Sequence, residues 1–192
     1  LDDLNTYNIE QWMLIEVADS TYRPSMTAIH LDTAGTLDQQ LSEDARMRTR
    51  HIRISGSMNE QDFATLRQML RQGMLRTIDL EETDVTVLPD SAFRHCYFLS
   101  HIVLPRNLRH MGDYSFSNCS NLNLIDLPQS LQVIGNGAFG GCIYLRELQL
   151  PSSIKTILSN AFNSCQMLTQ IRIPDSVVTL GHYVFAHCKR LQ

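Results

Sequence analysis

Lysine is almost absent from this 192-residue chain: Lys155 and Lys189 are the only two among 16 basic residues. The rest are arginines scattered along the sequence, and 20 acids bring the formal charge to −4. That balance gives no bulk attraction to nucleic acid or to an anionic bilayer, and the basic stripe a nucleic-acid reader needs is missing. No nucleic-acid partner is therefore expected. Long hydrophobic runs are missing too. No stretch reaches 18 apolar residues, so no transmembrane helix is expected. The opening Leu1-Asp2-Asp3-Leu4 has no basic segment leading into an apolar core, the mark of a leader peptide. The cysteines never form the close CxxC pairs of zinc sites, and His30, His110 and His182 share no ligand spacing, so no metal or cofactor is expected. Gly140-Gly141 is followed by no Lys-Ser/Thr pair and is not a phosphate loop.

What the chain does have is a period. Prolines recur at Pro105, Pro128, Pro151 and Pro174, and phenylalanines at Phe93, Phe116, Phe139, Phe162 and Phe185. All five cysteines (Cys96, Cys119, Cys142, Cys165, Cys188) fall in one column of the same 23-residue spacing. Independent columns with one shared period mark a stacked-repeat solenoid. One unit offers about seven apolar side chains, worth roughly 1.5–3 kcal/mol each when buried. Ordering its backbone costs roughly 1–2 kcal/mol per residue. The two are comparable, so a unit is expected to fold only against its neighbours. The cysteine column reads as small buried hydrophobes rather than disulfides or nucleophiles.

Three regions follow from the pattern: an N-terminal extension over 1–24 around Trp12, an α/β cap over 25–74, and one continuous repeat domain over 75–192. In the cap, Met26–Asp32 alternates like a strand, Thr36 with Gln39 suggests a capping box opening a helix over 37–46, and His51–Ile54 reads as a second strand. Ser57 with Glu60 suggests a capping box for a helix that buries Phe63, Leu66, Met69 and Leu70 and ends near Gly73. In the repeats, short strands are expected at Ile102–Leu104, Ile125–Leu127, Leu148–Leu150 and Ile171–Ile173, each stopped by the proline that cannot donate to a ladder. A second apolar pair follows each strand (Leu131 and Ile134, for example), then a glycine bend at Gly112, Gly135 and Gly181. The Ala-Phe-x-x-Cys segments suggest a brief helical turn. The fold expected is a right-handed α/β solenoid of short parallel strands and helical turns.

The unit Leu-x-x-Ile-x-Leu-Pro-x-Ser-Leu-x-x-Ile-Gly-x-x-Ala-Phe-x-x-Cys-x-x-Leu resembles the BspA-like leucine-rich repeat family. It is most faithful from Leu122 to Leu168. Thr33–Leu37 and Ile54–Gly56 look like the region that often precedes such repeats. The resemblance implies an exported or surface-attached protein of a host-associated microbe, its leader removed, and an adhesin or interaction module rather than an enzyme.

Strand alternation assigns the outward positions of the concave face. One column holds His51, Thr77, His101, Leu124, Glu147 and Gln170, and the other Arg53, Asp79, Val103, Asp126, Gln149 and Arg172. The candidate ligand-binding residues are His101, Val103, Leu124, Asp126, Glu147, Gln149, Gln170 and Arg172, facing a protein or a glycan. The plainer alternative is a solvated sheet face on a passive spacer in a surface assembly. Asp126 and Glu147 are two carboxylates on adjacent coils, but with no cleft in view they are expected to be exposed acids rather than a catalytic pair. His95 and His187 directly precede cysteines, so their side chains diverge from the thiols they would need to activate. Leu191 matches Leu168 and Leu145, which lead into strands, and this suggests an end-to-end homodimer through the last coil or a longer array.

Overall fold

In the computed structural model the described residues are 26–192, and the extension expected over 1–24 lies outside them. The first part of the chain supplies β1 (Thr27–Leu31), α1 (Leu37–Gln40), α2 (Glu43–Arg48), β2 (His51–Gly56), α3 (Glu60–Gln72) and β3 (Thr77–Asp79). The coils that follow contribute β4 (Val87–Leu88), β5 (His101–Val103), β6 (His110–Met111), β7 (Leu124–Asp126), β8 (Val133–Ile134), β9 (Thr156–Ile157) and β10 (Thr179–Leu180). They build two parallel sheets, one ordered β1-β2-β3-β5-β7 and the other β10-β9-β8-β6-β4. The two cap strands thus extend the sheet of the repeats. The second sheet arises from the apolar pairs after each proline, where Met111, Ile134 and Ile157 stack in register and are buried. Two-residue strands are too short to show alternation, which is why sequence showed the pairs but not the ladder.

Between the sheets runs one hydrophobic cluster from Leu31 to Val184. Its axis is a column of phenylalanine rings. Phe93, Phe116, Phe139, Phe162 and Phe185 stack at 5.3, 5.5, 5.4 and 5.6 Å between centroids. The cap joins this column, since Phe63 of α3 meets Phe93 edge-on at 5.8 Å. Beside it lie the cysteines, all free thiols. Each S–H from Cys119 onward donates to the carbonyl of the phenylalanine one coil back: Cys119 to Phe93, Cys142 to Phe116, Cys165 to Phe139 and Cys188 to Phe162, at 3.0–3.2 Å. A small side chain with one weak donor suits this buried position.

The Ala-Phe-x-x-Cys segments are not helical turns. They are successive tight turns separated by residues in the left-handed region, such as Tyr114 (φ 55°) and Asn118 (φ 60°). Alternate amides donate to the following coil: Phe116 N–H to Ala138 O, and Phe139 N–H to Ala161 O, both at 2.8 Å. A helix would have consumed those amides internally. The bend glycines answer to proximity rather than to φ. A Cβ on Gly135 would lie 2.7 Å from the Met111 carbonyl oxygen and the Gly112 carbonyl carbon of the coil before.

The cap departs from expectation at its helix starts. No single helix covers 37–46. α1 stops at Gln40, and Thr36 makes no capping bond with its side chain, its hydroxyl donating instead to Thr33 O at 2.7 Å. Ser42 caps α2, its hydroxyl accepting from the Ala45 amide. α3 is capped by Asn59 and Asp62 rather than by Ser57 and Glu60. Ser57 is drawn away by Asp84, whose carboxylate accepts from its hydroxyl at 2.7 Å. Ile78 lies 15 residues before Phe93 whereas Ile102 lies 14 before Phe116, and the one extra residue of the first repeat, within Glu81–Asp84, makes this tie. Thr83 forms a bridge with Gly56, and the Gly56 amide donates to Glu82 O.

Candidate functional site

The register aligns the residues of both columns where the sheet is continuous. His51, Thr77, His101 and Leu124 are partners in sequence, as are Arg53, Asp79, Val103 and Asp126. Burial then divides the face. Toward the cap, His51, Thr77, Asp79 and His101 are all buried. His51 Nδ1 shares a hydrogen bond with the Thr77 hydroxyl at 2.7 Å, and Arg53 Nε donates to Asp79 at 2.7 Å. These polar groups satisfy one another, as buried ones must. His101, expected on a solvated surface, is only 5% exposed and offers a ligand almost no area. Val103 and Leu124 are half-buried at the boundary.

Beyond β7 the face changes. The strands expected at Leu148–Leu150 and Ile171–Ile173 do not form, and a single bridge, Glu147 with Gln170, replaces the ladder. Here Asp126, Glu147, Gln149, Gln170 and Arg172 are exposed. A pocket of about 690 Å³ opens along these segments. Its walls include Glu147, Gln149, Gln170 and Arg172, with apolar patches from Leu148, Leu150 and Ile171. Among the described residues, Asp126, Glu147, Asp175 and Arg172 take part in no ion pair. Their charges are held in water, open to a partner.

Ser152, Asp175 and Ser176 complete the rim and were not foreseen. They follow the prolines, outside the strand alternation that located the others. The repeated serine of the Pro-x-Ser step has a structural duty instead: Ser176 donates to Ile154 O at 2.8 Å and Ser153 to Leu131 O at 2.6 Å. Burial disfavours the thiolate along the cysteine column. Burial pushes Cys96 up to about 11 and raises Cys119, Cys142 and Cys165 as well, against weaker opposing effects from Arg71 on Cys96 and Cys119 and from hydrogen bonds.

Two parallel sheets with a Phe/Cys core between them and one coil per 23 residues define a leucine-rich-repeat solenoid. The BspA-type leucine rich repeat model matches residues 69–192 in six copies, and the chain belongs to that family. Among solved structures it is similar to a leucine-rich repeat protein from Bacteroides ovatus, with TM-score 0.58 and 31% identity over 61% of this chain and 32% of that one. It is similar also to a leucine rich cell surface protein from Faecalibacterium prausnitzii, with TM-score 0.60 and 19% identity over 86% of this chain and 41% of that one. The leucine rich repeat protein of T. pallidum matches with TM-score 0.57 and 25% identity, over 79% of this chain and 86% of that one. The chain therefore spans about a third to two-fifths of the first two. No protein of curated function matches it. No helix among the described residues is long and apolar enough to cross a membrane.

Proposed function

We propose that this protein is a non-enzymatic recognition module of the cell surface or extracellular space, binding a protein or glycan at the open half of its concave face. The observation that carries this reading is the pocket beyond β7. It brings unpaired charges of both signs, two glutamine amides and an apolar floor to one concavity, while the cap-proximal half of the same face is closed, with His51 bonded to Thr77 and Arg53 to Asp79. Mixed polar groups around apolar patches are what specific sites use to orient a ligand. A passive spacer has no need for an interruption in an otherwise regular ladder. The surface assignment is supported by the family, and one structural neighbour is described as a cell surface protein.

The test is a panel of extracellular-matrix proteins and a glycan array, probed in parallel with the native chain and with the triple variant Asp126→Lys/Glu147→Lys/Arg172→Glu. All three positions are exposed, so the fold should survive, as a matched melting curve would show. A ligand whose affinity drops at least about tenfold in the variant supports the reading. Binding that survives charge reversal unchanged, or no ligand in either panel, removes it.

A further inference from the structure

A second surface carries unused chemistry, at the joint between α3 and the first repeat. Arg67 and Arg71 lie one turn apart on α3, which brings both to the same side of the helix. Arg67 donates to Ala92 O at 3.1 Å, and Arg71 donates to Arg94 O. These bonds lay the two side chains across the first turn of the solenoid. Arg94 itself projects outward, its guanidinium 5.2 Å from the ring centroid of Tyr114 in the next coil. Among the described residues no carboxylate pairs with Arg67, Arg71 or Arg94. In a chain of net charge −4 that is a local excess of positive charge with nothing to neutralise it.

His95 stands among these arginines. Its Nδ1 lies 3.2 Å from the Tyr97 hydroxyl and 3.4 Å from Asn118 Nδ2. With the amide donating, Nδ1 accepts and the proton sits on Nε2, leaving a neutral donor. Desolvation, then the neighbouring Arg94 and Arg71, hold the ring below its ordinary value and favour that form. Tyr97 and Tyr114 are 51% and 44% exposed.

We propose that this joint binds an anionic glycan, a sulfated polysaccharide. The guanidinium forks match sulfate and carboxylate oxygens in a way that ammonium groups do not. The half-exposed Tyr97 and Tyr114 side chains offer apolar ring surface and hydroxyls to pyranose units. The patch is compact and confined to the first two coils, whereas a nucleic acid would need a longer basic track. This inference is independent of the concave pocket, which lies at the other end of the repeats.

The experiment measures binding of the full chain to immobilised heparin, to chemically desulfated heparin, to polyglutamate and to a single-stranded oligonucleotide. Heparin is expected to bind and to weaken as salt is raised through the physiological range of about 0.15 M. Arg71→Glu/Arg94→Glu is expected to weaken it at least about tenfold, and Arg71→Gln/Arg94→Gln serves should charge reversal impair folding. The concave triple variant is expected to bind heparin as the native chain does. Absence of heparin binding, equal binding by the arginine variants, or equal binding by desulfated heparin, polyglutamate or the oligonucleotide each overturns the proposal.

Discussion

Asp62 shows how one residue can organise a cap. It is fully buried, yet its carboxylate accepts from three backbone amides: Gly35 at 2.6 Å, Leu37 at 3.0 Å and Asn59 at 3.0 Å. It thereby closes the start of α3 and fixes the entry to α1 together. Asp62→Ala would strand three donors inside the protein, at about 1–3 kcal/mol for each left unsatisfied. The expected loss is about 3 kcal/mol or more in urea unfolding, and a loss below about 1 kcal/mol would show that water replaces the carboxylate. The cysteines make a second prediction at this scale. In the folded chain burial raises their thiols, Cys96 to about 11, while in the unfolded chain they titrate near about 8.5. Deprotonation therefore begins in the unfolded state. Stability from this source is fully present below about pH 8.5 and is lost as pH rises toward about 11. Urea midpoints measured across that interval should fall, less steeply in Cys142→Ala, and a flat profile would contradict the burial.

The elements show what the sequence displayed and what it concealed. Phe63, Leu66, Met69 and Leu70 had helical spacing, and α3 buries them all, ending at Gly73. Its start was misplaced because Ser57 has the right chemistry for a cap but is claimed by Asp84 from a distant loop. No local pattern encodes that competition. The repeat strands were legible from alternation as far as Asp126. Beyond it the same alternation persists in Leu148–Leu150 and Ile171–Ile173, but no ladder forms there. The glycine bends give the sharpest test of coil spacing. Gly135→Ala would force a Cβ against backbone at 2.7 Å and should cost about 1–3 kcal/mol. Gly140→Ala meets its nearest neighbour only at 3.2 Å and should cost less than half as much. Equal costs would mean that the bend is not where successive coils come closest.

At the scale of the whole molecule, the structure is a stack with unlike halves. Near the cap, two sheets run in parallel, and on the concave side His51 pairs with Thr77 and Arg53 with Asp79. Toward the last coils only the second sheet continues, and the concave side opens into the pocket. The candidate residues were legible because alternation places them on one face whatever the coil. Which of them are open was not legible. His101 and Gln170 occupy one column by the 23-residue period, yet one is buried and the other exposed. That difference depends on what surrounds each coil, a matter of packing rather than pattern. The most direct check is amide hydrogen exchange resolved by segment in the free protein. Amides of β3, β5 and β7 should exchange orders of magnitude more slowly than those of Leu148–Leu150 and Ile171–Ile173, since only the former lie in a ladder. Uniform protection along all five segments would contradict the division of the concave face on which the proposed site depends.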